Sequence, residues 1–235
     1  MRLNLCHTDI NASGRKGLIV FSIILMVILF DQFIKVWIKT HFYLGEEVNV
    51  FSWFRLLFVE NNGMAFGMEI GSKPILTLLR IGLAVFLIWY IVKIKDFKTV
   101  KTGYLVCLSL IVAGAIGNII DCVFYGKIFN DPLPPQVAQL FPDVTYGTWL
   151  NGKVVDMLYF PLFEFDFPQW IPFLGGEHFL FFQPVFNIAD AAITVGILIL
   201  IFFYSSQIGL PRKLADKDNA DALVNRGVNS GKEMK

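Results

Sequence analysis

The chain has 235 residues, 55% of them hydrophobic, with a mean hydropathy of +0.60 and a net charge of +1. That composition belongs to a membrane protein rather than a soluble domain, and the near-neutral balance gives no ground for nucleic-acid binding. Three cysteines without a CxxC and three scattered histidines without an HExxH argue against a disulfide framework and a histidine-ligated metal.

Residues 1–17 are polar and mixed, and the apolar run after them is too long for the core of a cleavable signal peptide. Four runs approach or exceed the length that crosses a bilayer, about 20 helical residues. They cover roughly 17–38, 74–92, 103–125 and 185–206. Arg2, Arg15 and Lys16 precede the first run, and Lys93, Lys95, Lys98 and Lys101 fill the short link between the second and third. Arg212, Lys213, Lys217, Arg226, Lys232 and Lys235 lie in the tail. Only Lys39, Arg55, Lys73, Lys127 and Lys153 are spread over the much longer stretches on the other side. The positive-inside rule then places both termini and the short link in the cytoplasm. On this reading residues 1–206 are a single integral membrane domain and 207–235 a charged, polar cytoplasmic tail.

Two stretches remain outside. The loop 40–73 contains VNVFSWFRLLFVE, whose period of two reads as β-strand, and its tip ENNGMAFGM has turn chemistry at Asn61, Asn62 and Gly63. The loop 126–184 is long and rich in proline and aromatic residues. Residues 127–151 read as an insertion, and KVVDMLYFPLFEFDF, from 153 to 167, as extended again.

Placed on this topology, the intramembrane polar residues converge. Asp31 and Lys35 lie near the outer end of helix one, one turn apart on the same face. Arg80 is near the outer end of helix two, Asn118 and Asp121 at that of helix three, and Asn187 and Asp190 at that of helix four. Asp156 sits in the outer segment just before helix four. One polar site is therefore expected between the helices at the outer membrane boundary. Each residue also has a structural role open to it. Asp31 and Lys35 make an i,i+4 ion pair, Arg80 snorkels to headgroups, and Asn118 bonds a neighbouring helix. Asp190 is a favourable charge at a helix N-terminus, Gly114 and Gly117 permit close helix packing, and Cys122 is a small buried side chain.

A group of carboxylates at such a site suits amide hydrolysis. One ionised aspartate deprotonates a water while a second, protonated, polarises the carbonyl and later protonates the leaving amine. Spacing alone does not select the pair among Asp31, Asp121, Asp156 and Asp190.

The ordered set DQFIK, ENNGMAFG, GAIGNIID, VVDMLYF and FNIADAAITVG, spread over residues 31–196, resembles the lipoprotein signal peptidases, the type II signal peptidases of bacteria. The resemblance implies a cofactor-free and metal-free aspartic endopeptidase of the bacterial cytoplasmic (inner) membrane, with its active site at the outer face. Its substrates would be diacylglyceryl-modified prolipoproteins, cut just before the lipidated cysteine, and its surroundings membrane lipids. It implies an all-α membrane protein of four transmembrane helices with a small extracytoplasmic β-rich cradle and a longer outer loop. By motif, Asp156 and Asp190 are the catalytic pair. Asn61, Asn118, Asp121 and Asn187 support them, and Asp31 and Lys35 are structural or substrate-orienting. The family usually has an arginine after the GNxxD aspartate. This chain has Cys122 there, which leaves Arg80 or Lys35 to supply a positive charge. Other readings of the residues are a small transporter subunit, a thiol oxidoreductase and a non-catalytic membrane scaffold. The charge-poor inner halves of the helices speak against the first, and the lack of paired outer cysteines against the second.

Overall fold

A computed structural model describes residues 3–62, 72–161, 163–173, 176–181 and 184–209, with residues 3–13, 163, 164 and 178–181 described by backbone alone. Gly63 with the rest of the expected turn, and the tail from residue 210, lie outside the described residues.

Hydropathy sets the frame. Among the described residues, four helices are long and apolar enough to cross a membrane: Gly14–His41, Lys73–Ile94, Thr102–Ile128 and Ile188–Gln207. Helix α1 is Leu3–His41, α2 is Lys73–Ile94 and α3 is Thr102–Ile120. A π-helical turn, Asp121–Tyr125, and a short α4, Gly126–Ile128, prolong α3, and α5 is Ile188–Tyr204. Helix α1 begins well before the expected residue 17, because residues 3–13 contain no proline or glycine and a nucleated helix propagates through polar residues. Large apolar side chains such as Phe33, Leu79, Trp89, Phe202 and Phe203 stand exposed on α1, α2 and α5, as lipid-facing positions must.

Helix α3 is the central rod, packed against α5, α1 and α2. Glycine allows the approach. A Cβ at Gly114 would lie 2.2 Å from the Ala189 carbonyl oxygen of α5, and one at Gly117 would lie 2.7 Å from Asp31 Oδ2 of α1. At the end remote from the sheet, Ile91, Ile94, Val100, Tyr104 and Leu105 form a compact cluster where α2 turns into α3. Lys16 Nζ donates there to the Phe97 and Val100 carbonyls at 3.0 and 2.9 Å.

The other end carries the β-structure. Strands β1 (Glu47–Phe51), β2 (Phe54–Asn61), β3 (Val154–Tyr159) and β6 (Val185–Phe186) form an antiparallel sheet in the order β1-β2-β3-β6. The single outer strand expected near residues 48–60 is thus a hairpin that turns at Ser52 and Trp53, a pair without glycine, proline or asparagine to announce it. A separate hairpin, β4 (Phe163–Asp166) and β5 (His178–Phe181), fills the connection between β3 and β6. The fourth helix starts at Ile188 rather than 185, because Val185 and Phe186 pair with Tyr159 and Leu158 and hold the chain extended until the cap at Asn187.

Residues 129–151 form no helix or named strand. They return along the π turn, where Gly152 N donates to Cys122 O at 2.8 Å and Leu150 N to Val123 O at 3.2 Å. A widened turn leaves carbonyls without their usual helical donors, and the returning backbone supplies them. Ile38, Phe42, Phe58, Phe129, Val155 and Met157 close a second core between α1, the sheet and this segment.

Candidate active site

The sequence puts Asp31 and Lys35 one turn apart on α1, and they pair at 2.9 Å with both side chains buried. Lys35 Nζ also meets Asp121 Oδ2 at 2.8 Å and donates to Asn118 Oδ1 at 2.9 Å, so one ammonium joins α1 to the end of α3. Asp31 Oδ1 accepts from Ala189 N at 2.9 Å, which fixes the first turn of α5 against α1. Such a buried charge cluster is tolerable only when each group has partners, and here each has several.

The start of α5 is organised by its own capping box. Asn187 Oδ1 accepts from Asp190 N at 2.9 Å, while Asp190 Oδ2 lies 3.4 Å from Asn187 N. The remaining groups point inward. Asn187 Nδ2 donates to Asp156 Oδ1 at 2.7 Å and to Asn118 Oδ1 at 3.1 Å. Asn118 Nδ2 donates to Asp190 Oδ1 at 2.7 Å. Asp156 projects from the middle of β3, 3% exposed, and its Oδ2 accepts from Asn61 at the end of β2. Asn187 therefore touches both Asp156 and Asp190, and the two acids share one hydrogen-bonded frame. Burial, with the charge of Asp190 adding to it, pushes the Asp156 carboxyl up to about 7 against the opposing donors Asn187 and Asn61.

Of the residues singled out from the sequence, Asp31, Lys35, Asn61, Asn118, Asp121, Asp156, Asn187 and Asp190 all belong to this frame. Arg80 faces a neighbouring place, with Nη1 3.5 Å from Cys122 Sγ. A guanidinium thus does reach the position after the GNxxD aspartate. Gln32 was not singled out. Its amide donates to Asp121 Oδ1 at 2.9 Å, to Gly117 O at 3.1 Å and to Asp31 Oδ2 at 3.2 Å, and its Oε1 accepts from Tyr125 at 3.1 Å. Its place inside DQFIK was the available signal. Lys39 and Glu60, both buried, were missed as well. Lys39 continues the Asp31, Lys35 face by one more turn.

A groove of about 390 Å³ runs beside the frame, lined by Met26, Val27 and Phe30 of α1, Leu110 of α3, and Ile188, Ala191, Ala192 and Val195 of α5. It is apolar throughout. A larger hollow of about 910 Å³ follows the exposed side of α1 from Met26 to His41, and Gln32 is the one member of the frame among its lining residues.

A family profile described as "Signal peptidase (SPase) II" matches residues 23–205. A lipoprotein signal peptidase of Porphyromonas gingivalis (strain ATCC 33277) is 48% identical over 196 residues, 83% of this chain and 86% of that protein. One from Amoebophilus asiaticus (strain 5a2) is 33% identical over 197 residues, 81% and 79% of the two chains. A bacterial membrane enzyme structure determined by the in meso method at 2.3 Å resolution has the same fold, with a TM-score of 0.51, 24% identity, and coverage of 87% of this chain and 92% of that one.

Proposed function

The chain belongs to the signal peptidase II family, and on that premise we propose that it removes the signal peptide from diacylglyceryl-modified prolipoproteins by aspartic-peptidase chemistry, cutting just before the lipidated cysteine. The observation that carries this reading is the pair Asp156 and Asp190, held in one hydrogen-bonded frame by Asn187.

The chemistry follows from the environments of the two acids. Asp190 is faced by donors, the Asn118 amide and the N-cap backbone, which suit a carboxylate able to take a proton from water. Asp156 is buried on a strand and keeps its proton up to about pH 7, so it can donate. Water loses its proton to Asp190 as its oxygen bonds to the scissile carbonyl carbon, and Asp156 gives its proton to the carbonyl oxygen. Collapse of the tetrahedral intermediate breaks the C–N bond as the proton on Asp190 passes to the leaving amine and one hydroxyl of the intermediate returns a proton to Asp156, which leaves a carboxylic acid and the starting enzyme. Lys35, Asp31, Asp121 and Gln32 hold the helices that present these groups. The exposed apolar side chains of α1, α2 and α5 keep the enzyme in the lipid that also holds the signal segment of the precursor.

The lysine and arginine asymmetry supports cytoplasmic termini and an active site at the outer face of the bacterial inner membrane. The buried acids and lysines among the described residues gather at the sheet end of the helices and leave no line of charge along their length, which disfavours a transporter.

The test is cleavage of a synthetic diacylated prolipopeptide by the purified full chain in detergent. Wild type cuts on the N-terminal side of the lipidated cysteine, whereas Asp156→Asn and Asp190→Asn, folded by thermal unfolding, lose at least about 1,000-fold in rate. Cleavage at the wild-type rate by either variant would remove that residue from the mechanism.

A further inference from the structure

A second buried charge cluster lies behind the sheet and takes no part in the mechanism above. Lys39, one turn past Lys35 on α1, ion-pairs with Glu60 of β2. Lys39 and Glu60 are 0% and 2% exposed at their side chains. Three rings surround the Lys39 ammonium, those of Phe129, Tyr146 and Phe58 at 5.1, 5.2 and 5.9 Å. Lys153 Nζ lies 3.3 Å from Glu60 Oε2 and 3.1 Å from Asp131 Oδ1, over the other approach to Tyr146. Glu60 is thus gripped by two ammonium groups, one on α1 and one at the foot of β3.

Its place in the sheet gives that grip a consequence. Glu60 pairs with Val155, and its neighbours Val59 and Asn61 pair with Asp156 and Val154. Successive side chains of a strand point to opposite faces, so Glu60 points to the back while Asn61 points to the front and donates to Asp156. Asn61 is also the last residue of β2 and pairs with Val154 at the start of β3. From this arrangement we infer that Glu60, anchored by Lys39 and Lys153, is a positioning residue that keeps Asn61 bonded to Asp156. The inference rests on the reading of Asp156 as a catalytic acid. It also gives residues 129–151 a part in the site, since Phe129, Asp131 and Tyr146 complete the anchor.

Several groups bear on Asp156 itself: Asp190 and Asn187 from α5 and its cap, Lys35 from α1, and Asn61 from β2. Of these, only Asn61 adjoins Glu60. The Asn61 donor favours ionised Asp156, so losing it raises the pH at which Asp156 gives up its proton. In the proposed mechanism that step sets the alkaline limb of the rate profile.

The experiment is a double-mutant cycle read by kcat, KM and pH profile on the diacylated prolipopeptide, using the full chain. Glu60→Gln and Asn61→Ala each lower kcat about tenfold, leave KM within about twofold and move the alkaline limb upward. Glu60→Gln adds almost nothing in the N61A background. If Glu60→Gln proves unstable, Lys39→Met, which leaves Glu60 paired with Lys153, moves the limb in the same direction. Equal fractional losses in both backgrounds, or a limb that stays in place while the amount of folded enzyme falls, would overturn the inference and make Glu60 a purely structural residue. If Asn61→Ala leaves rate and limb untouched while Asp156→Asn still abolishes cleavage, the inference falls and the catalytic reading survives. If Asp156→Asn cleaves normally, the catalytic reading itself falls and Glu60 has nothing to act upon.

Discussion

Lys35 and Lys39 stand one turn apart on the same face of α1, equally buried, in opposite kinds of surroundings. Lys35 is met by oxygen on three sides, from Asp31, Asp121 and Asn118. Lys39 is met by a single carboxylate and three aromatic faces. Both arrangements compensate a buried charge, but they do different things to the fold. The oxygen cage ties together two helices, and through Asp31 and Ala189 a third, so its removal strands carboxylates in the interior. The ring cage lets a cation seal a hydrophobic core, with only one acid depending on it. Buried lysines therefore differ in cost according to how many opposite charges they leave behind.

That contrast can be broken or sharpened by substitution. The largest effect belongs to Lys35→Met, which abandons Asp31 and Asp121 together. It is expected to cost at least about 3–5 kcal/mol and to abolish both folding and cleavage, as read by thermal unfolding in detergent. Next comes pH, which separates the acid at the front of the sheet from the anchor behind it. Asp156 binds its proton more tightly folded, at about 7, than unfolded, near 3.8. Its contribution to stability is then full below about pH 4 and is lost as pH rises through about 7, a change on the order of 4 kcal/mol. Unfolding measured from pH 4 to pH 9 should show that decline in wild type and a flatter curve in Asp156→Asn. Lys39→Met should cost less, about 1–2 kcal/mol, since Glu60 keeps Lys153 and a thioether suits an aromatic cage. Smallest is Tyr146→Phe, which keeps the ring but removes the hydroxyl that accepts from Lys153 N at 2.8 Å. A loss of about 1 kcal/mol is expected. If Lys39→Met proved as damaging as Lys35→Met, the distinction between the two cages would fail.

Much of the frame was readable because its signals run along one dimension. Hydropathy located the four spans, the alternation of direction brought their polar residues to one level, and the four-residue step paired Asp31 with Lys35. The rest depends on contacts between segments far apart in the chain. Gln32 is an ordinary amide until Gly117, Asp121 and Tyr125 surround it. Glu60 is an ordinary strand acid until α1 brings Lys39 behind it. The start of α5 moved because β6 pairs with β3, and the outer strand split because Ser52 and Trp53 turn without the residues that usually mark a turn. The choice of Asp156 and Asp190 came from resemblance rather than spacing. The hydrogen bonds of Asn187 now offer a geometric reason to consider the two together.

The π turn at Asp121–Tyr125 bears on how the length of this chain can vary. Such a turn holds one residue more than an α-helical turn would, and here the surplus falls between Asp121, which faces Lys35, and Tyr125, which donates to Gln32. Deleting one residue between them would let the turn close as ordinary helix, with the segment beyond kept nearly in phase, and would return the Cys122 and Val123 carbonyls to helical donors. Gly152 and Leu150 would then lose the carbonyls they now reach. Residues 129–151, by contrast, meet the rest of the protein through a few anchor points and can change in length between them. Insertions and deletions should therefore be tolerated in relatives across the exposed residues 133–137 and rejected in the five residues before Gly126, although both lie on the same connection.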